Sequence, residues 1–248
     1  MNGPLQRLAV PLALALGLSP VLAWAPETRV RMIDEAVRFM PAALRSALES
    51  HRRDVLRGML TPLAREDAPE HRPPWSAGGL DDTLEREAHG LLEILAQPTP
   101  FREIARHFGS LAHYVADVGF PPGASRGDGA SRYGHFASFC EDRRERFALV
   151  FYGHDDEALA ADDYRAFALQ ELQRADRDDR QLGRAYAAAG DPPDPAAFDD
   201  RSLPFAVGSL SYSHSITNIV RIWLHIWNRS NGDMGQTPYW TESQSRGG

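Results

Sequence analysis

Apolar residues return every three or four positions through most of this chain, the mark of helices with one buried face. Val30, Ile33, Val37 and Met40 form the first such row, with Arg and Glu between them. Leu44, Leu48, Val55, Leu56 and Met59 continue it in a second predicted helix from about Ala42, set off by Pro41, a residue that starts helices more readily than it continues them. Thr61 to Gly79 is rich in proline and acid and reads as a loop. Leu84 to Ala96 and Phe101 to about Val118 are again helical, the latter bounded by Pro98 and Pro100 before it and Pro121 after it. A Gly/Ser loop over Pro121 to Arg132 precedes the stripe Phe136, Phe139, Phe147 and Val150. Asp155 to Ala189 alternates charges of both signs, as a solvated helix face does. Gly190 to Asp200 carries three prolines and reads as a linker. The last helix has Ile216, Ile219, Val220, Trp223, Leu224 and Trp227 on its core side and stops at Asn231-Gly232. No strand alternation and no repeat interrupts this series. The expectation is a single all-α domain of about seven helices over 24–232, followed by a flexible tail over 233–248.

The first 23 residues break the pattern. One arginine, Arg7, precedes the apolar run Leu8 to Leu18, and small residues follow at Val21-Leu22-Ala23. That order is a cleavable secretory signal, and the run is too short to span a bilayer, which takes about 20 residues. Cleavage after Ala23 leaves Trp24 as the new N-terminus; cleavage after Ala25 is the alternative. The expected location is therefore secreted or periplasmic.

Composition changes the picture by exclusion. The 248 residues are 43% hydrophobic and 25% charged, the proportions of a globular protein, with a formal net charge of −7. A net acidic chain of this kind gives no footing for general nucleic-acid binding. A lone cysteine, Cys140, excludes an intrachain disulfide or a four-cysteine zinc knuckle.

Candidate chemistry begins with His113 and Asp117 in Leu111-Ala-His-Tyr-Val-Ala-Asp-Val-Gly-Phe-Pro-Pro122. Four residues apart on a helix, they share one face. They offer zinc a nitrogen and an oxygen, and they equally serve as a hydrogen-bonded pair that steadies the helix. Ser213-His214-Ser215 invites a nucleophile–base reading, but adjacent helical residues do not face each other. His225 reads as a partly buried core histidine, Cys140 as a small packing residue, and Arg126-Gly127-Asp128 as a chance tripeptide in a loop.

Trp24 at the head of an amphipathic helix, together with the His-Tyr-Val-Ala-Asp helix ending at a Pro-Pro turn, resembles the bacterial zinc-dependent phospholipases C and fungal single-strand nucleases. The likeness covers about Trp24 to Gly153. It implies a helical fold of the zinc-dependent phospholipase C type, with a cleft holding three zinc ions. It also implies that the amine and carbonyl of an N-terminal Trp are ligands, and that zinc activates a water against a phosphodiester or phospholipid phosphate. Carried over by position, Trp24, His113 and Asp117 match, the last as the residue that bridges two metals. Where the family has histidine five residues after the Trp, this chain has Arg29; six after the Asp it has Gly123. Of the expected His and Glu pair, Ala137 stands at the Glu, with His135 near but off register. Leu63 stands where an Asp closes the early loop, and Asp67 and His71 lie close enough to substitute.

The implied ligands are Trp24, His71, His113, Asp117 and His135, holding none, one or two zinc ions but not three. Asp117 is the residue at the centre of the chemistry. Arginine cannot bind a cation, but Arg29 can clamp a phosphate or pair with a carboxylate such as Asp117. Two readings follow. One is a metal-dependent phosphoesterase acting on phospholipids or phosphodiesters with a reduced site. The other is a binding or structural relative without turnover.

Overall fold

A computed structural model describes residues 23–190 and 197–240. The predicted signal segment up to residue 22, the centre of the predicted linker and residues 241–248 lie outside the described residues. Among the described residues there are ten α-helices and no strand. They are α1 (Pro26–Val37), α2 (Ala42–Ser50), α3 (Arg52–Leu60), α4 (Leu80–Leu95), α5 (Phe101–Val118), α6 (Pro121–Ala124), α7 (Ala130–Arg143), α8 (Glu157–Ala160), α9 (Tyr164–Ala189) and α10 (Leu203–Arg229). Three of these exceed the expected seven for local reasons. The second predicted helix breaks at His51, where six polar residues run together from Glu49 to Asp54 and the backbone leaves helical geometry (φ −111°). The four-residue helices α6 and α8 are single turns, started by Pro121-Pro122 and by the Asp156 side chain, which accepts from the Ala158 and Leu159 amides.

The core is one continuous cluster around α5 and α10. Helix α10 contributes Ile216, Ile219, Val220, Trp223 and Leu224, and the Trp223 indole donates to the Phe108 carbonyl of α5 at 3.1 Å. From Leu111 to Val118 every residue of α5 is buried, so its polar side chains are surrounded by protein on all sides. The charged stretch before Ala189 folds as α9, with Phe167, Leu172, Leu182 and Tyr186 turned inward.

Helices α3 and α5 pack at the closest approach the backbone allows. A Cβ added at Gly58 would lie 2.0 Å from the Arg106 carbonyl oxygen, and one at Gly109 would lie 2.0 Å from that of Val55. Only glycine fits both positions. This contact sets the height of the end of α3 against the middle of α5, where the site lies. Gly109→Ala is therefore expected to push the helices apart and destabilise the protein by about 1–3 kcal/mol or more. Chemical denaturation measures the loss.

The expected tail is in part an ordered return. Asn231 takes a left-handed conformation (φ 56°) and turns the chain. The Ala42 amide then donates to the Gly235 carbonyl at 3.1 Å, and His154 Nε2 donates to that of Pro238 at 2.9 Å. Residues 233–240 thus pack against the start of α2 and the loop after Phe147.

Candidate metal centre

Three separate stretches meet at one buried point. Helix α5 supplies His113 and Asp117, one turn apart and both buried. Helix α1 supplies Arg29, whose exposure is 0%. The short 3-10 turn Pro69–His71 supplies His71, whose side chain is almost fully covered. That turn is pinned by the Gly79 amide donating to Pro69 and the Leu80 amide donating to Arg72, both at 3.0 Å.

Asp117 divides its two oxygens. Oδ1 accepts from Arg29 Nη2 at 2.5 Å. Oδ2 lies 2.8 Å from His71 Nδ1 and 3.2 Å from His113 Nε2. The rest of the Arg29 guanidinium is also engaged, with Nε donating to the Trp24 carbonyl at 2.8 Å and Nη1 to that of His113 at 3.2 Å. Glu66 Oε1 stands 3.8 Å from Arg29 Nη2. Burial by itself would push the Asp117 carboxyl up. The fixed charge of Arg29 and the hydrogen bond from His71 work against that and hold it well below the usual carboxylate range.

His113 Nδ1 lies 2.7 Å from the Met59 carbonyl at the end of α3. A carbonyl only accepts, so Nδ1 carries the proton. Burial, foremost, pulls the His113 pKa below that of an ordinary imidazole, which favours the neutral ring. The Nε2 of that ring bears a lone pair and faces the Asp117 carboxylate. The proton on His71 Nδ1 can serve one of these two acceptors well, but not both. Lone pairs therefore converge on one point, and a cation there relieves the conflict.

Two of the three separations come close to those between the ligands of such a cation, and the third, His71 Nδ1 to Asp117 Oδ2 at 2.8 Å, has the length of a hydrogen bond. His71 Nδ1 and His113 Nε2 are 3.4 Å apart, which completes a triangle with the two distances to Oδ2. A tetrahedral zinc with bonds of about 2.0–2.1 Å keeps its ligands about 3.3–3.4 Å apart. Among the described residues, His71, His113 and Asp117 form the group that could hold a metal ion. The Met59 carbonyl plays the part that an outer partner takes at zinc histidines, fixing tautomer and ring angle.

No known family, curated protein or solved structure matches this chain.

Trp24 is fully buried against Phe120 and Tyr212, and its carbonyl is taken by Arg29. His135 is not at the centre: its Nδ1 lies 2.7 Å from the Tyr186 hydroxyl and its ring packs on Phe198. Ala137 is a core residue, and Glu141 caps α1 instead, accepting from the Thr28 hydroxyl at 2.6 Å. From the early loop Glu66, rather than Asp67, approaches Arg29.

Ser213-His214-Ser215 makes no catalytic arrangement. Ser213 donates to the Ala148 carbonyl while His214 stacks on Tyr152 at 4.2 Å. Arg126 of the Arg-Gly-Asp loop lies over the Trp75 ring at 3.9 Å, a packing role. Tyr133 had no signal in the sequence, yet it lines a cavity of about 200 Å³ with His71, Glu66 and Gly123. Burial, then the charges of Asp117 and Glu66, push its hydroxyl well above the usual phenol range, so it stays a neutral donor.

Four histidines outside the centre, His135, His154, His214 and His225, are pulled down by burial, His214 to about 4. The unfolded chain takes up these protons near pH 6.5, before the folded one does. Their contribution is fully present above about pH 6.5 and is lost as pH falls toward the folded values. Melting temperature is expected to drop between about pH 6.5 and 4, and His214→Phe to soften that slope.

Proposed function

We propose that this chain is an exported, phospholipase C-like phosphoesterase with a reduced metal site at His71, His113 and Asp117, acting on phospholipid or phosphodiester substrates. The observation that carries the reading is the convergence of the His113 and Asp117 lone pairs beside His71, with ligand atoms close enough together to share one metal ion. Zinc held there would lower the pKa of water and offset phosphoryl charge. Arg29 is a fixed positive charge on the second oxygen of Asp117, the side where the related enzymes would hold another metal. The cavity beside His71 admits a phosphoryl group and presents Tyr133 and Arg72 to it. No helix among the described residues is long and apolar enough to cross a membrane.

Zinc-loaded protein is expected to hydrolyse bis(4-nitrophenyl) phosphate or a short-chain phospholipid, and His71→Ala to lose that activity while keeping its circular dichroism spectrum. Absence of turnover on either substrate favours the second reading, a binding relative that keeps the scaffold. The residues at the other metal positions support that alternative: Gly123 and Ala137 offer no ligand, and His135 is paired with Tyr186. For export, N-terminal sequencing of the secreted chain is expected to begin at Trp24. A start at Pro26 would remove the Trp24 carbonyl that Arg29 holds.

A further inference from the structure

The stretch Phe147-Ala-Leu-Val-Phe-Tyr-Gly153 belongs to no helix, and α10 holds it by one edge. Ser213 Oγ accepts from the Val150 amide at 3.1 Å and donates to the Ala148 carbonyl at 3.2 Å. Thr217 Oγ1 accepts from the Tyr152 amide at 3.3 Å, and Arg221 donates to the Tyr152 and Gly153 carbonyls at 3.1 and 2.9 Å. Ser213, Thr217 and Arg221 follow one another by a turn of α10. Four helical residues rise about 6 Å, and two residues of extended chain advance about 6.6 Å. The two repeats match, so these pegs hold residues 148–152 extended.

In an extended chain the N–H and C=O groups of successive residues point to opposite edges. Ala148, Val150 and Tyr152 turn theirs to α10, so Leu149 and Phe151 turn theirs away from it. None of these four outward groups has a hydrogen-bond partner among the described residues. Backbone groups shut away from water nearly always find partners, so these four face solvent. Nor does the segment carry a charge or a proline, the usual guards of a strand edge.

Its side chains alternate as well. Val150 and Tyr152 stand on the outer face, 50% and 37% exposed, with Tyr152 stacked on His214 at 4.2 Å. Leu149 and Phe151 line a cavity of about 500 Å³ together with Phe39 and Tyr239. A free backbone edge beside a pocket for alternate side chains is the pair of features that strand addition uses, the first for affinity and the second for specificity. A helix spends its backbone groups internally and cannot satisfy this edge. A second copy of the chain would pair only about five residues a side here, against the roughly 20–30 of a stable interface.

We propose that the free edge of residues 148–152 and the cavity beside it bind an extended peptide by antiparallel strand addition, with apolar side chains at alternate positions of the peptide. The test is amide hydrogen exchange and NMR titration of the full chain with the peptide acetyl-Lys-Thr-Leu-Thr-Leu-Thr-Lys-amide. Without peptide, the Leu149 and Phe151 amides are expected to exchange faster than those of Val150 and Tyr152. At saturation the peptide is expected to slow Leu149 and Phe151 at least tenfold and to leave Val150 and Tyr152 unchanged. In the antiparallel register the leucines lie opposite Leu149 and Phe151, so N-methylation of both leucines removes the donors of the peptide while keeping its side chains. That peptide should bind about tenfold more weakly or worse, the effect of losing two hydrogen bonds. Equal affinity for the two peptides, or no slowing at Leu149 and Phe151, would overturn the assignment. So would sedimentation showing that the chain dimerises without peptide and thereby protects these same two amides.

Discussion

Arg29→Ala is expected to cost the fold about 3–5 kcal/mol, the range for breaking one side of a buried ion pair. The guanidinium is wholly buried and holds Asp117 Oδ1 at 2.5 Å, along with the Trp24 and His113 carbonyls. Its loss leaves a carboxylate without its fixed counter-charge in a place water does not reach. Because the penalty is that of an orphaned charge, the double variant Arg29→Ala/Asp117→Asn should be less destabilised than the two single losses together. Chemical denaturation of the four proteins gives the coupling. Arg29→His carries the idea further. If the arginine stands where a metal ion would otherwise sit, histidine there gains zinc affinity, and zinc then raises the melting temperature of the variant beyond its effect on the parent. An Arg29→Ala protein as stable as the parent would show that the pair contributes nothing to the fold.

The second large effect concerns His71. Zinc at a hundredfold excess over its dissociation constant is expected to stabilise the parent by about 2.7 kcal/mol. His71→Ala removes one of three ligands and should lower zinc affinity by more than the ~10–100-fold typical of losing an outer-shell partner. Its melting temperature should then hardly respond to zinc. His71 lies in a three-residue 3-10 turn that backbone hydrogen bonds from Gly79 and Leu80 hold in place, so the variant is expected to keep its fold. A zinc response equal to that of the parent would place the metal elsewhere.

Much of this architecture can be read from the chain. The rows of apolar residues locate the long helices because burial of one face is a local pattern of period 3.6. Spacing alone also puts His113 and Asp117 on one face of α5, and the presence of Arg29 suggests a partner for a buried carboxylate. The short helices and the break at His51 are less legible, since single turns are set by caps and not by periodicity. The site is legible only in part for the same reason. Met59 takes part through its backbone carbonyl, which no side-chain pattern reveals.

The exchange of His135 for Tyr133 has a simple geometric cause. Two residues apart on a helix are turned by about 200° from each other, so they cannot face the same point. With Tyr133 of α7 beside Gly123, His135 faces Tyr186 of α9. Glu66 and His71 lie on a loop of proline and acid, where position follows from tertiary contacts alone.

The central claim is that one buried group of two histidines and an aspartate binds metal while an arginine occupies the place of a second ion. Elemental analysis of the purified protein, prepared without chelator and equilibrated with zinc, measures it directly. One zinc per chain is expected, falling to none in His71→Ala. Three zinc ions per chain, or none after equilibration, would contradict the account.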